Sequence, residues 1–109
     1  MIVHGNEVKP RILDEYSSRK ILGTGGDLMM VEVTFKKDGI GTPHSHTDHE
    51  QVSYIAKGSF EVTYDKEVKV LKAGDSFYAG KNVIHGVKAL EDGSVILDIF
   101  TPIREDFLK

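Results

Sequence analysis

The stretch "MMVEVTF", Met29–Phe35, decides the class of fold. Met29, Val31, Val33 and Phe35 alternate with Met30, Glu32 and Thr34. A period of two is the repeat of a β-strand with one buried face. The same alternation recurs in "SFEVTYD" (Ser59–Asp65), where Phe60, Val62 and Tyr64 share a face, and in "EVKVLK", where Val68 and Val70 flank Lys69. In "SVILDIF" (Ser94–Phe100), Val95, Leu97 and Ile99 lie on one face and Ile96, Asp98 and Phe100 on the other. Turn signals separate these runs: Gly25-Gly26, Asp38-Gly39, Lys57-Gly58, Ala73-Gly74-Asp75, Gly80-Lys81-Asn82 and Asp92-Gly93. Short strands joined by glycine turns predict an all-β, antiparallel sandwich or barrel. No long segment has helical period; the nearest is the tail "IREDFLK".

With 109 residues the chain suits one domain. The reading assigns residues 1–18 to an N-terminal arm or added strand and 19–109 to the barrel; "EVKPRILDEY" carries Val8, Ile12 and Leu13 without a clear period. The net charge is −3 with no basic block, so nucleic acid is not an expected partner. The absence of cysteine leaves nitrogen and oxygen as the only metal donors. The start, "MIVHGNEVKP", has no apolar core of a signal peptide, and no apolar run approaches the ~20 residues that span a bilayer. A cytoplasmic protein, working on a small molecule, is the expectation. "GTGGD" (Gly23–Asp27) lacks the Lys-Ser/Thr of a phosphate loop and reads as a turn.

"PHSHTDHEQ", Pro43–Gln51, holds three of the five histidines. His44 and His46, two apart, share a face if the strand continues through them, at a pitch of about 7 Å. Two imidazoles so placed can converge on one ion. His85, in "NVIHGV", needs a partner for its ring nitrogens in apolar surroundings. The same facts allow a plainer reading, in which the loop is simply solvated and His85 is a hydrogen-bonded core residue.

The spacing of these residues resembles the two motifs of single-domain cupins, G-x5-H-x-H-x3–4-E-x6-G and G-x5-P-x-G-x2-H-x3-N. Here they read "GIGTPHSHTDHEQVSYIAKG" and "GDSFYAGKNVIHGVKA". Four residues separate His46 from Gln51 and six separate Gln51 from Gly58, which puts Gln51, not Glu50, in the glutamate slot. The chain departs from the pattern at Asp38, Gly80, Asn82 and Ala89, which bears on loop shape more than on the ligands. The resemblance implies a double-stranded β-helix, a jelly-roll barrel of antiparallel strands, with a short C-terminal tail. It also implies one divalent metal ion (Zn, Ni, Mn, Fe or Co) on His44, His46, Gln51 and His85. A carboxamide is a neutral ligand, so such a site keeps its full +2 charge, which favours Lewis-acid polarisation. A homodimer is expected, since pairing removes an open sheet edge.

From Arg19 onward the chain is similar to KdgF-type cupins, most specifically in "DIFTPIREDFL". That family acts on 4,5-unsaturated monouronates from pectin or alginate breakdown and promotes their ring opening and ketonisation. Its catalytic Asp, Phe and Arg fall on Asp98, Phe100 and Arg104. The residues lend this partial support. Asp98 interrupts an apolar face, and a buried carboxylate is costly unless paired or functional; its plainer reading is a salt bridge to Arg104 or a lysine. Arg104 can clamp a carboxylate in two-pronged fashion, or pair on the surface with Glu105 or Asp106. Phe100 reads as wall or core. Tyr54, Tyr64, Phe77 and Tyr78 read as barrel packing, with Tyr78 reaching the pocket, and His49 as facing water. The competing functions are another metal-dependent cupin enzyme, such as a dioxygenase or sugar isomerase, and a non-catalytic small-ligand-binding barrel.

Overall fold

The computed structural model describes residues 1–108. Ten strands follow in chain order: β1 (Arg11–Ile12), β2 (Ser17–Gly25), β3 (Leu28–Phe35), β4 (Ile40–His44), β5 (Glu50–Lys57), β6 (Ser59–Tyr64), β7 (Glu67–Lys72), β8 (Ser76–Ala79), β9 (His85–Ala89) and β10 (Ser94–Thr101). They form two antiparallel sheets, of order β1-β2-β3-β10-β5-β8 and β4-β9-β6-β7. This is the all-β barrel that the alternating sequence predicts. The tail makes only a short 3-10 turn, Glu105–Leu108. Among the described residues no helix is long and apolar enough to cross a membrane. At the start, β1 pairs with the edge of β2, and the Lys20 ammonium donates to the Gly5 carbonyl.

The period of two becomes burial. On β3, Met29, Val31 and Phe35 are buried. Ile96 and Phe100 of β10 face the same interior. Phe35, Ile55, Phe60, Val62, Ala89 and Ile96 make one apolar cluster; Met29, Val31 and Phe100 make a second, backed by Ile21, Ile103 and Phe107. Phe35 meets Phe60 edge-on with ring centres 5.5 Å apart, a geometry aromatic pairs favour. Full burial of side chains of this size contributes roughly 1.5–3 kcal/mol each.

The turns take the residues that their backbones demand. Gly58, between β5 and β6, and Gly93, before β10, have φ of 73°. Asn82 adopts φ 67° just ahead of β9, a conformation that asparagine tolerates better than most residues. Its amide donates to the His46 carbonyl at 2.7 Å, which ties the turn before His85 to the loop that carries His46.

β10 lies between β3 and β5, so its side chains have neighbours on both sides. Asp98 stands opposite Val31 and Ser53, and Phe100 opposite Met29 and Gln51. In the other sheet, His44 at the end of β4 is directly opposite His85 at the start of β9.

Candidate metal centre

The histidines approach from three directions. His44 ends β4 and His85 begins β9, whereas His46 lies past the end of β4, in the loop to β5. The expectation of one continuous strand under both His44 and His46 is corrected here: the strand stops, and the loop returns His46 to its neighbour. Ring centres lie 4.7 Å apart for His44–His46, 4.6 Å for His44–His85 and 5.4 Å for His46–His85. One nitrogen from each ring lies within 4.8 Å of the others. The Nε2 atoms of His44 and His46 are 3.2 Å apart, close to the spacing of two ligands each about 2.1 Å from one ion.

Hydrogen bonds set which nitrogen faces inward. His44 Nδ1 donates to the Thr42 carbonyl at 2.7 Å, and His85 Nδ1 to the Val83 carbonyl at 3.0 Å. The Nε2 lone pair of each ring is thereby left for the centre. His85 Nε2 is buried with no hydrogen-bond partner among the described residues, and so is Gln51 Oε1. Buried acceptors without donors are costly. The three clustered imidazoles could hold a divalent cation, and the Gln51 carboxamide oxygen borders the same cavity as His44 and His85.

The electrostatics agree with this fit, because metal-binding imidazoles must be neutral. His46 is pushed down to about 4, by burial first and then by the Arg104 cation, with smaller effects of His44, His85 and His49. Burial also lowers His85, against the raising effect of its bond to Val83.

Asp98, Phe100 and Arg104 line the same cavity as His44, Gln51 and His85. Its volume is about 220 Å³, below the roughly 300–1,000 Å³ of pockets for drug-sized ligands, so it suits a small molecule. Asp98 is not salt-bridged to Arg104. Its Oδ1 accepts from the Ser53 hydroxyl at 2.6 Å, and that hydroxyl accepts from Gln51 Nε2 at 2.9 Å. Burial pushes Asp98 up to about 6, against the lowering effects of the Ser53 bond and then of His44 and Arg104.

Arg104 packs its guanidinium 4.2 Å from the centre of the Phe107 ring and 5.6 Å from that of Phe100. Its Nε and Nη2 donate to the two Asp106 oxygens at 3.1 and 2.8 Å, so this edge of the guanidinium already has a two-pronged carboxylate partner. Arg19 lies 3.8 Å over the same Phe107 ring. Phe107 thus shares its ring between two arginines, a role with no signal in the sequence.

Three aromatic and histidine expectations are corrected. Phe77, not Tyr78, lines the cavity. Tyr78 is exposed and donates to Glu50 on the outside, and Tyr54 is exposed rather than packed in the barrel. His49 does not simply face water: it is half-buried, and its Nε2 donates to the Ile103 carbonyl at 3.1 Å, fastening the loop that carries His46 to the segment just before Arg104. A larger apolar groove of about 390 Å³, beside Tyr64, Leu71 and Phe77, contains none of these histidines.

The Cupin domain family matches residues 31–100, a span that runs from the middle of β3 to Phe100. The chain belongs to the cupin family. This cupin is 54% identical over 90 residues to the pectin degradation protein KdgF of Dickeya dadantii, covering 83% of this chain and 82% of that protein. Its fold superposes on KdgF from Halomonas sp. with a TM-score of 0.96 at 36% identity, covering 98% of this chain and 97% of the other. An RmlC-like cupin from Shewanella frigidimarina gives a TM-score of 0.91 at 38% identity, covering 97% and 94% of the two chains. Within the family the chain therefore groups with the KdgF proteins.

Proposed function

We propose that this cupin is a metal-dependent enzyme that opens and ketonises 4,5-unsaturated monouronates released from pectin or alginate. One arrangement carries the reading: His44, Gln51, His85, Asp98 and Arg104 border one small cavity, and the His46 ring nitrogen lies within 4.8 Å of those of His44 and His85. The name of the Dickeya dadantii relative, a pectin degradation protein, supports the substrate class.

His44, His46, Gln51 and His85 would hold one divalent ion. When bound, the ion supplies Lewis-acid polarisation of a substrate oxygen, and the neutral Gln51 leaves its charge intact. The substrate is a cyclic enol ether with an anomeric hydroxyl and a carboxylate. Asp98 takes the proton of the anomeric hydroxyl. The ring carbon–oxygen bond breaks, giving an aldehyde and an enolate. Asp98 then returns the proton to the alkene carbon remote from the enolate oxygen, which becomes a ketone. Burial raises this carboxyl above the ordinary carboxylate range in the metal-free protein, which makes it a better proton acceptor. Arg104, whose Nε and Nη2 now hold Asp106, takes the substrate carboxylate in two-pronged fashion in place of Asp106. Phe100 walls the apolar side of the cavity, edge-on to His46 with ring centres 6.1 Å apart.

The test follows the absorbance of the 4,5-unsaturated chromophore in a solution of the monouronate. Protein should accelerate its loss, and a chelator should abolish the acceleration. Equal rates with and without protein would sink the proposal.

A further inference from the structure

Ser53 of β5 is fully buried, and its hydroxyl has two polar neighbours. A hydroxyl carries one proton. At 2.6 Å from Asp98 Oδ1 the separation is that of a charge-assisted bond to a carboxylate, so the proton points at Asp98. What Ser53 presents to Gln51, 2.9 Å away, is therefore a lone pair, and only a donor can meet it. The Gln51 amide nitrogen is that donor. Its oxygen is thereby turned from Ser53, and it is the same Oε1 that is buried without a hydrogen-bond partner among the described residues. One hydroxyl sets the orientation of two side chains that arise on different strands.

We propose that Ser53 is a positioning residue that couples the metal-facing carboxamide to Asp98, and that residue 51 is an amide because this hydrogen-bond chain runs one way, from Gln51 through Ser53 to Asp98. A carboxylate at 51 would set two acceptors against a single proton and bring two like charges to either side of a buried hydroxyl. Exchanging the ends, with a carboxylate at 51 and an amide at 98, restores the match with the chain reversed. The metal-facing half of the proposal rests on the proposed metal site; the hydrogen-bond chain stands without it.

The test has two arms. In the first, thermal unfolding of the metal-free protein at pH 7.5 compares the parent, Gln51→Glu, Asp98→Asn and the double variant. Gln51→Glu should lower Tm by about 4–8 °C or more in the parent, the shift of a ~1 kcal/mol loss in a domain of this size. In the Asp98→Asn background the drop should be less than half as large. Equal drops in the two backgrounds overturn the coupling. In the second arm, Zn(II) titration should give Ser53→Ala a Kd about tenfold higher than the parent's, the lower end of what partners behind a metal ligand contribute. Ser53→Thr, which keeps the hydroxyl, should bind as the parent does. A parent-like Kd in Ser53→Ala overturns the positioning role. Should the parent take up no Zn(II), the metal site itself falls, and the unfolding comparison decides the hydrogen-bond chain alone.

Discussion

Gly86 lies against Pro43 so closely that a Cβ on Gly86 would come within 2.8 Å of the Pro43 backbone. Each is the neighbour of a histidine: Pro43 precedes His44 and Gly86 follows His85. The missing side chain lets β4 close onto β9 where the two histidines stand opposite one another. Gly86→Ala should therefore separate the imidazoles, lower stability by about 1–3 kcal/mol as overpacking does, and weaken Zn(II) binding at least tenfold. Urea unfolding and metal titration check this. Gly23→Ala, whose added Cβ would meet none of the described residues within 4 Å beyond its chain neighbours, should change neither.

Asp98 gives a pH-dependent stability. Its carboxyl is raised from 3.8 to about 6 in the fold. Between about pH 4 and 6 the folded protein therefore binds its proton more tightly than the unfolded chain does, and Asp98's contribution to stability falls as pH rises through that window. Above it, the enclosed charge costs on the order of 1–3 kcal/mol. Asp98→Asn removes that cost while keeping an acceptor for Ser53. The metal-free variant should be more stable than the parent by that amount at pH 7.5, with the gain vanishing below about pH 4. Under the proposed mechanism it should also lose ketonisation. Urea unfolding at the two pH values, together with the chromophore assay, measures both; a variant less stable than the parent at pH 7.5 would contradict the burial argument.

The fold was legible where the residues alternate, as in β3 and β10, and the face that Asp98 shares with Ile96 and Phe100 also aimed it inward. It was not legible in β8, where Phe77 and Tyr78 are adjacent aromatics and alternation alone cannot choose the inner one. The register of β5 on β8 chooses: Ser53 faces Phe77, and Val52 faces Tyr78 on the outside. Ser53 itself is an unremarkable letter in "QVSYIAK", and its role exists only because β10 brings Asp98 opposite it. The histidine spacing pointed to one cluster, but the loop that returns His46 depends on long-range bonds, Asn82 to the His46 carbonyl and His49 to the Ile103 carbonyl. The two-residue β1 is too short to show any period.

Arg104 is proposed to hold the substrate rather than the metal. Arg104→Met should raise KM for the unsaturated monouronate by about 10- to 100-fold, the worth of a charged hydrogen-bonded contact. Its Zn(II) content should match the parent's. Steady-state kinetics and metal analysis separate the two effects, and an unchanged KM would remove Arg104 from substrate binding.

The claim on which the account depends is that His44, His46, Gln51 and His85 surround one cation. Anomalous diffraction from crystals of the protein grown with Zn(II) tests it most directly. The account predicts a single strong peak about 2.0–2.2 Å from the Nε2 atoms of His44, His46 and His85 and from Gln51 Oε1. A map with no peak between these residues, or with the ion held elsewhere on the barrel, would contradict it.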